Sequence, residues 1–247
     1  MRRTYWAAGT AVLLALAFAV AATVAAASGS SGSGPAREQR TPALYSPDAG
    51  FARDMAVHHQ QAVEMSFIVR DRTQDEAVRS LAYDIANTQA NQRGMLLGWL
   101  DLWGLPKVLA GEPPMSWMST GGGSGSGHGS GGSSSSGEGS AGTEGSGHGG
   151  GHDMGGVAAK PGALMPGMAT KEELAALGAA QGRDAEVLYL QLMTDHHKGG
   201  VAMARGCATQ CRTPAERALA QGMVDAQQSE LTLMADMLRQ RGAAPRG

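Results

Sequence analysis

Residues 51–65 read Phe-Ala-Arg-Asp-Met-Ala-Val-His-His-Gln-Gln-Ala-Val-Glu-Met, and residues 189–203 read Tyr-Leu-Gln-Leu-Met-Thr-Asp-His-His-Lys-Gly-Gly-Val-Ala-Met. Both stretches carry the pattern Met-x-x-His-His-x-x-x-x-x-Met, and His58-His59 meets His196-His197 at a shift of 138 residues. The same shift superposes Arg79 and Leu81 on Arg217 and Leu219, Gln89 on Gln227, Leu100 on Leu238 and Gly104 on Gly242. A register kept across two helical segments and their connection marks a duplicated helical hairpin. One amphipathic hairpin cannot bury its apolar face alone, but two can close into a four-helix bundle.

Placed on a helix of 3.6 residues per turn, Phe51, Met55, His58, His59, Ala62 and Met65 fall within one arc of about 120°, the width of a core-facing stripe. Tyr189, Met193, His196, His197, Gly200 and Met203 repeat the arc. Each hairpin therefore directs two imidazoles and two thioethers inward. Ala62 and Gly200 are small residues beside the histidines and are expected to leave room there.

The rest of the chain follows from this core. Helical periodicity and capping signals predict helices over about 48–70, 75–103, 183–206 and 213–241, with a short one near 171–178. Thr170 with Glu173 reads as a capping box, Thr213-Pro214 as a helix start and Gly242 as a stop. Residues 48–104 form the first repeat and 164–242 the second. Residues 105–163 join them: prolines at 106, 113 and 114 predict irregular chain, and glycine makes up half of residues 121–156. Such a composition predicts a disordered, flexible linker. A long linker is tolerated because loop closure entropy grows slowly with length.

Met1-Arg2-Arg3 is followed by an uncharged apolar run from Trp6 to Ala27. A basic start and a small-residue ending read as a secretory signal over residues 1–27. The run is also long enough for an uncleaved membrane anchor. Either way the remainder is expected outside the cytoplasm, in a periplasmic or cell-envelope space or secreted, with residues 28–47 as a flexible Ser/Gly/Pro tether. The whole chain has a formal charge of −2, with 14 Met against 3 Phe. No basic stripe is present, so no nucleic-acid partner is expected. Protein partners are not legible.

The doubled motif points to metal. An imidazole offers a nitrogen lone pair and a thioether a soft sulfur, a donor set that favours copper over magnesium or calcium. The expected ligands are His58, His59, His196 and His197, assisted by Met55, Met65, Met193 and Met203, for Cu(I) or Cu(II). The alternative is a histidine-centred hydrogen-bond network in a non-metal interaction or stress protein, with Gln89 and Gln227 as possible imidazole partners in either case. His128, His148 and His152 lie in the Gly/Ser linker and could capture metal. Cys207 and Cys211 could form a disulfide, a Cu(I) thiolate pair or free thiols; an oxidising compartment favours the disulfide. Glu64 and Asp195 project away from the histidine arc and read as solvated surface. An enzyme of the di-iron type would require Glu-x-x-His motifs, which neither repeat has.

The segments 51–65 and 192–204 resemble the signature of the domain-of-unknown-function 305 family. So do the lead-in Met165-Pro-Gly-Met-Ala-Thr-Lys-Glu-Glu-Leu174 and Gln227-Gln-Ser-Glu230. The resemblance spans residues 48–104 and about 164–242. It implies an exported, ferritin-like four-helix arrangement, and some members of that family are periplasmic copper binders. The first repeat departs from the pattern with Gln92 where the second has Glu230. A site that needs an acid at that place is therefore expected to be weaker or absent in the first half.

Overall fold

The computed structural model describes residues 41–121 and 159–246. The stretch read as an N-terminal signal or anchor, most of the Gly/Ser linker, and His128, His148 and His152 lie outside the described residues. The described chain is all-helical: α1 Pro47–Arg70, α2 Glu76–Trp103, a 3-10 turn Ser116–Gly121, α3 Lys171–Ala179, α4 Gly182–Gln210 and α5 Pro214–Gln240. None of these helices is long and apolar enough to cross a membrane.

Local chemistry starts and stops the helices where the sequence suggests. Ser46 accepts a bond from Ala49 N ahead of Pro47, and Asp75 accepts from Val78 N at the start of α2. Gly104 closes α2 at φ 64°. Thr170 and Glu173 form the reciprocal capping box of α3. Replacing Thr170 by Ala is expected to destabilise the protein by about 1 kcal/mol, read from its urea midpoint.

Four expectations change. Thr213 makes no capping bond of its own. Its hydroxyl and backbone N–H, with the N–H of Arg212, are directed to the buried carboxylate of Asp48. Helix α4 does not end near Gly206 but continues to Gln210. Met118 packs over Gly206: a Cβ there would lie 2.5 Å from Met118 Cε. The irregular segment after α2 is not merely a connection, because Met115 and Trp117 are buried in the core. Asp54 on α1 fixes that segment by accepting bonds from Met115 N and Trp117 Nε1. Residues 41–46, part of the stretch expected as tether, form a turn whose Leu44 carbonyl accepts a bond from Arg53.

Helix α1 packs on α2, α4 on α5, and α1 on α4. Two hydrophobic clusters result, and each draws residues from all four long helices. The first holds Met55, Leu100, Met203 and Met223; the second holds Met65, Ile85, Met193 and Met234. The repeat is visible in the contacts as well as in the letters. Arg79 bonds the carbonyl of Thr73, and its counterpart Arg217 bonds that of Cys211, the counterpart of Thr73. Asp48 holds the second hairpin turn, and its counterpart Glu186 accepts a bond from Thr73 in the first.

Candidate metal centre

Helices α1 and α4 cross at their histidines. The rings of His58 and His196, equivalent positions in the repeat, lie 3.8 Å apart between centroids. His197 lies 6.2 Å from His196, and His59 is close enough to be influenced electrostatically by both His58 and His197. All four histidines are 0 % exposed. Bulk water therefore does not reach them, and each ring nitrogen needs an internal partner or a ligand.

The partners found are few. His196 Nε2 lies 2.9 Å from the carbonyl oxygen of His58, and His197 Nε2 lies 2.6 Å from Glu230 Oε2. Both partners are acceptors in their usual states, so both Nε2 atoms carry hydrogen. For the His196 ring, which burial keeps neutral, that assigns the tautomer: its Nδ1 keeps its lone pair. Neither Nδ1 has a hydrogen-bond partner, and neither does any ring nitrogen of His58 or His59. The Pro166 backbone stands near His58 and Gln92 near His59, each favouring the charged form of its ring, but neither makes a hydrogen bond of normal geometry. The Gln-for-Glu exchange thus gives the first hairpin an amide where the second has the carboxylate that bonds His197.

Burial sets the protonation state. It is the largest cause pushing His58 and His59 down to about 3 and His196 well below its usual value. The neighbouring imidazoles push in the same direction. Three neutral rings therefore present lone pairs at ordinary pH, the state a metal ligand requires.

Met55, Met65, Met193 and Met203 are all fully buried, but not as pairs within one repeat. The antiparallel packing of α1 on α4 sorts them by end: Met55 joins the cluster of Met203, and Met65 joins that of Met193. The histidine layer separates the two ends. Met165 and Met168, which the helical reading did not single out, are buried in the Met55 cluster. They belong to a strap, residues 165–169, clamped by two bonds between Gln61 and Ala169. Gly199 lets the strap lie against α4, since a Cβ there would fall 2.1 Å from the Pro166 carbonyl oxygen. The signal available in the sequence was the Met-Pro-Gly-Met string itself.

The room expected beside Gly200 is not there. A Cβ on Gly200 would lie 2.5 Å from Gln227 Oε1, so the glutamine side chain already occupies the space. Gln227 Oε1 accepts no bond, and the Gln89 amide makes none from either atom. Glu64 is exposed, and Asp195 is half-buried beside Lys198. Among the described residues, the one set of three His, Cys, Asp or Glu ligand atoms close enough to share an ion is Cys207, Cys211 and Glu216. As they stand, then, the imidazoles do not converge as a three-nitrogen site.

The sequence profile of the family described as "Domain of unknown function (DUF305)" matches residues 48–238. The chain belongs to this family. No functionally curated protein matches it. A Streptomyces coelicolor DUF305 protein assigned as secreted is 52% identical, with 83% of this chain and 99% of that one covered at a TM-score of 0.64. A DUF305 fragment from Deinococcus radiodurans is 25% identical, with 81% and 99% covered at a TM-score of 0.55. The structure of CopM in its Cu(I)-bound form is 17% identical, with 78% and 96% covered at a TM-score of 0.49.

Proposed function

We propose that this DUF305 chain is an extracytoplasmic copper-binding protein, for buffering or resistance, that holds the ion between its two hairpins. The ligands are His58, His59, His196 and His197, with Met55, Met65, Met193 and Met203 assisting, chiefly toward Cu(I). The observation that carries the reading is the set of fully buried imidazole nitrogens without partners. A protein gains nothing from desolvating such groups unless something binds them, because each unsatisfied buried polar group costs about 1–3 kcal/mol. The bonds of His196 and His197 support it too. Each ties Nε2 to an oxygen and leaves Nδ1 free, the arrangement in which a partner orients a ligating imidazole. An ion here draws on two nitrogens and is completed by sulfur from either end of the seam, or binds after a ring rotates. The ferritin-like form of the bundle belongs to the same proposal. At its level of similarity CopM lends no ligands to this chain; the support is the chain's own donor set.

A second reading has its own observation. The His197–Glu230 and His196–His58 bonds also suit a core network without metal. Titration with Cu(II), and with Cu(I) under reducing conditions, against a competing chelator separates the two. Changing all four histidines to Ala is expected to abolish tight binding while circular dichroism stays helical. Deleting residues 121–156, with the linker histidines, is expected to leave it intact. The reverse pattern would move the metal to the linker and leave the core network as the better account.

A further inference from the structure

The repeat supplies an internal control for one corner of the molecule. At the second hairpin turn Cys207 and Cys211 form a disulfide, with Cα atoms 4.8 Å apart. The Glu216 carboxylate faces it: one oxygen and the two sulfurs all lie within 4.8 Å of one another. Glu216 is fully buried, and neither oxygen accepts a hydrogen bond. Its polar neighbour is another acid, Asp48, to which a protonated Glu216 can donate, although that carboxylate also accepts from Arg212 and Thr213.

The equivalent positions in the first hairpin are Val69, Thr73 and Val78, all buried. That hairpin makes the same turn with the same arginine clamp, so the fold needs neither the cysteines nor the acid. A valine at position 216 would serve packing better than a carboxylate that must be desolvated. The Cys, Cys, Glu set is thus an addition to the fold. It lies past Met203 and Met55, outside the histidine layer.

We propose that reduction of the Cys207–Cys211 disulfide opens a second metal site, built from two thiolates and the Glu216 carboxylate, for a borderline divalent ion of the zinc class. A dithiol reductant supplies two electrons and two protons, breaks the S–S bond and becomes a disulfide itself. The ion then displaces the two thiol protons and the Glu216 proton to solvent. Two sulfurs and one oxygen suit zinc, which takes three protein ligands and leaves a fourth position for water. A purely soft Cu(I) ion gains little from the carboxylate. Burial, and then the nearby Asp48, push the Glu216 carboxyl up to about 9, so it enters the site as a proton donor to be displaced. The disulfide is buried, with Cys207 0% and Cys211 2% exposed, so a reductant reaches it only as the helix end beside the exposed Arg212 opens. The site does not depend on the histidine reading.

Cobalt(II) is the probe, because thiolate bound to it gives a charge-transfer absorption that imidazole and thioether ligands do not mimic. The full-length protein, oxidised or reduced anaerobically, is titrated with Co(II) and then with Zn(II) in competition. The reduced protein is expected to show the thiolate absorption at one equivalent and the oxidised protein none. The four-histidine variant should keep it. Cys207→Ser with Cys211→Ser should lose it. Glu216→Val, the residue of the first hairpin, should stay folded and weaken binding by about tenfold or more. A reduced protein that unfolds, a folded one without the absorption, or Glu216→Val binding as tightly as the parent would each overturn the proposal.

Discussion

Metal-free protein carrying His58→Leu and His59→Leu is expected to be more stable than its parent, by about 1–3 kcal/mol. Both rings are fully buried, and none of their four nitrogens makes a hydrogen bond of normal geometry, although Pro166 and Gln92 lie near them. Leucine is close to imidazole in volume and brings no polar atom into the core. Replacing an unsatisfied polar group by an apolar one of similar shape removes its desolvation penalty. The same variant should no longer gain stability when copper is added, since a ligand that binds only the folded state stabilises through its own site. Urea unfolding in chelator, with and without copper, measures both effects. A core network makes the opposite prediction: the rings would then hold the hairpins together, and the leucines would weaken the fold. A loss of stability in chelator would sink the metal reading for the first hairpin.

Acid should unfold the metal-free protein in a window set by its histidines. His58 and His59 titrate at about 3 in the fold, chiefly through burial, against 6.5 in the open chain. His196 is pushed down as well. Between those limits the unfolded state binds more protons, so stability rises with pH. The contribution is complete above pH 6.5 and is lost as pH falls toward 3, at roughly 1 kcal/mol per pH unit for each histidine. Glu216 works in the opposite sense. Its carboxyl is raised from 4.5 to about 9, so its contribution is present below pH 4.5 and is lost as pH rises through 9. Between pH 4.5 and 6.5 three histidines outweigh one carboxyl, and maximal stability is expected near neutrality. Denaturation of metal-free protein from pH 4 to 9 tests this, and Glu216→Val should flatten the alkaline limb. Stability unchanged between pH 6.5 and 4.5 would show that the histidines are not buried in the neutral form.

Much of the architecture was legible because its signals are local. Helix periodicity, the Thr170–Glu173 capping box and the stop at Gly242 act over a few residues, and the 138-residue register needs no coordinates. Two inward histidine pairs on two hairpins follow from those rules alone. The misreadings share one cause. Gly200 looked like empty space and Gly206 like a helix end because a lone sequence shows a missing side chain, not what fills the gap. Gln227 and Met118 fill them, and both come from other segments. Trp117, in a stretch of prolines, gave no periodic signal for its burial.

What the sequence by itself determined is which polar and sulfur-bearing side chains turn inward: four histidines and four methionines, set by turn geometry within single helices. The tertiary structure decided how they are grouped. A helical wheel gives direction around an axis but neither the partner nor the slide along it. The antiparallel passage of α1 over α4 supplies both. It stacks His58 on His196, sends Met55 to Met203 and Met65 to Met193, and pairs His197 with Glu230 while His59 faces Gln92. It also brings Asp48 against the second hairpin turn, where Cys207, Cys211 and Glu216 replace Val69, Thr73 and Val78 of the first. Burial then fixes the chemistry, since a dry interior keeps these imidazoles neutral into acid and Glu216 protonated at neutral pH.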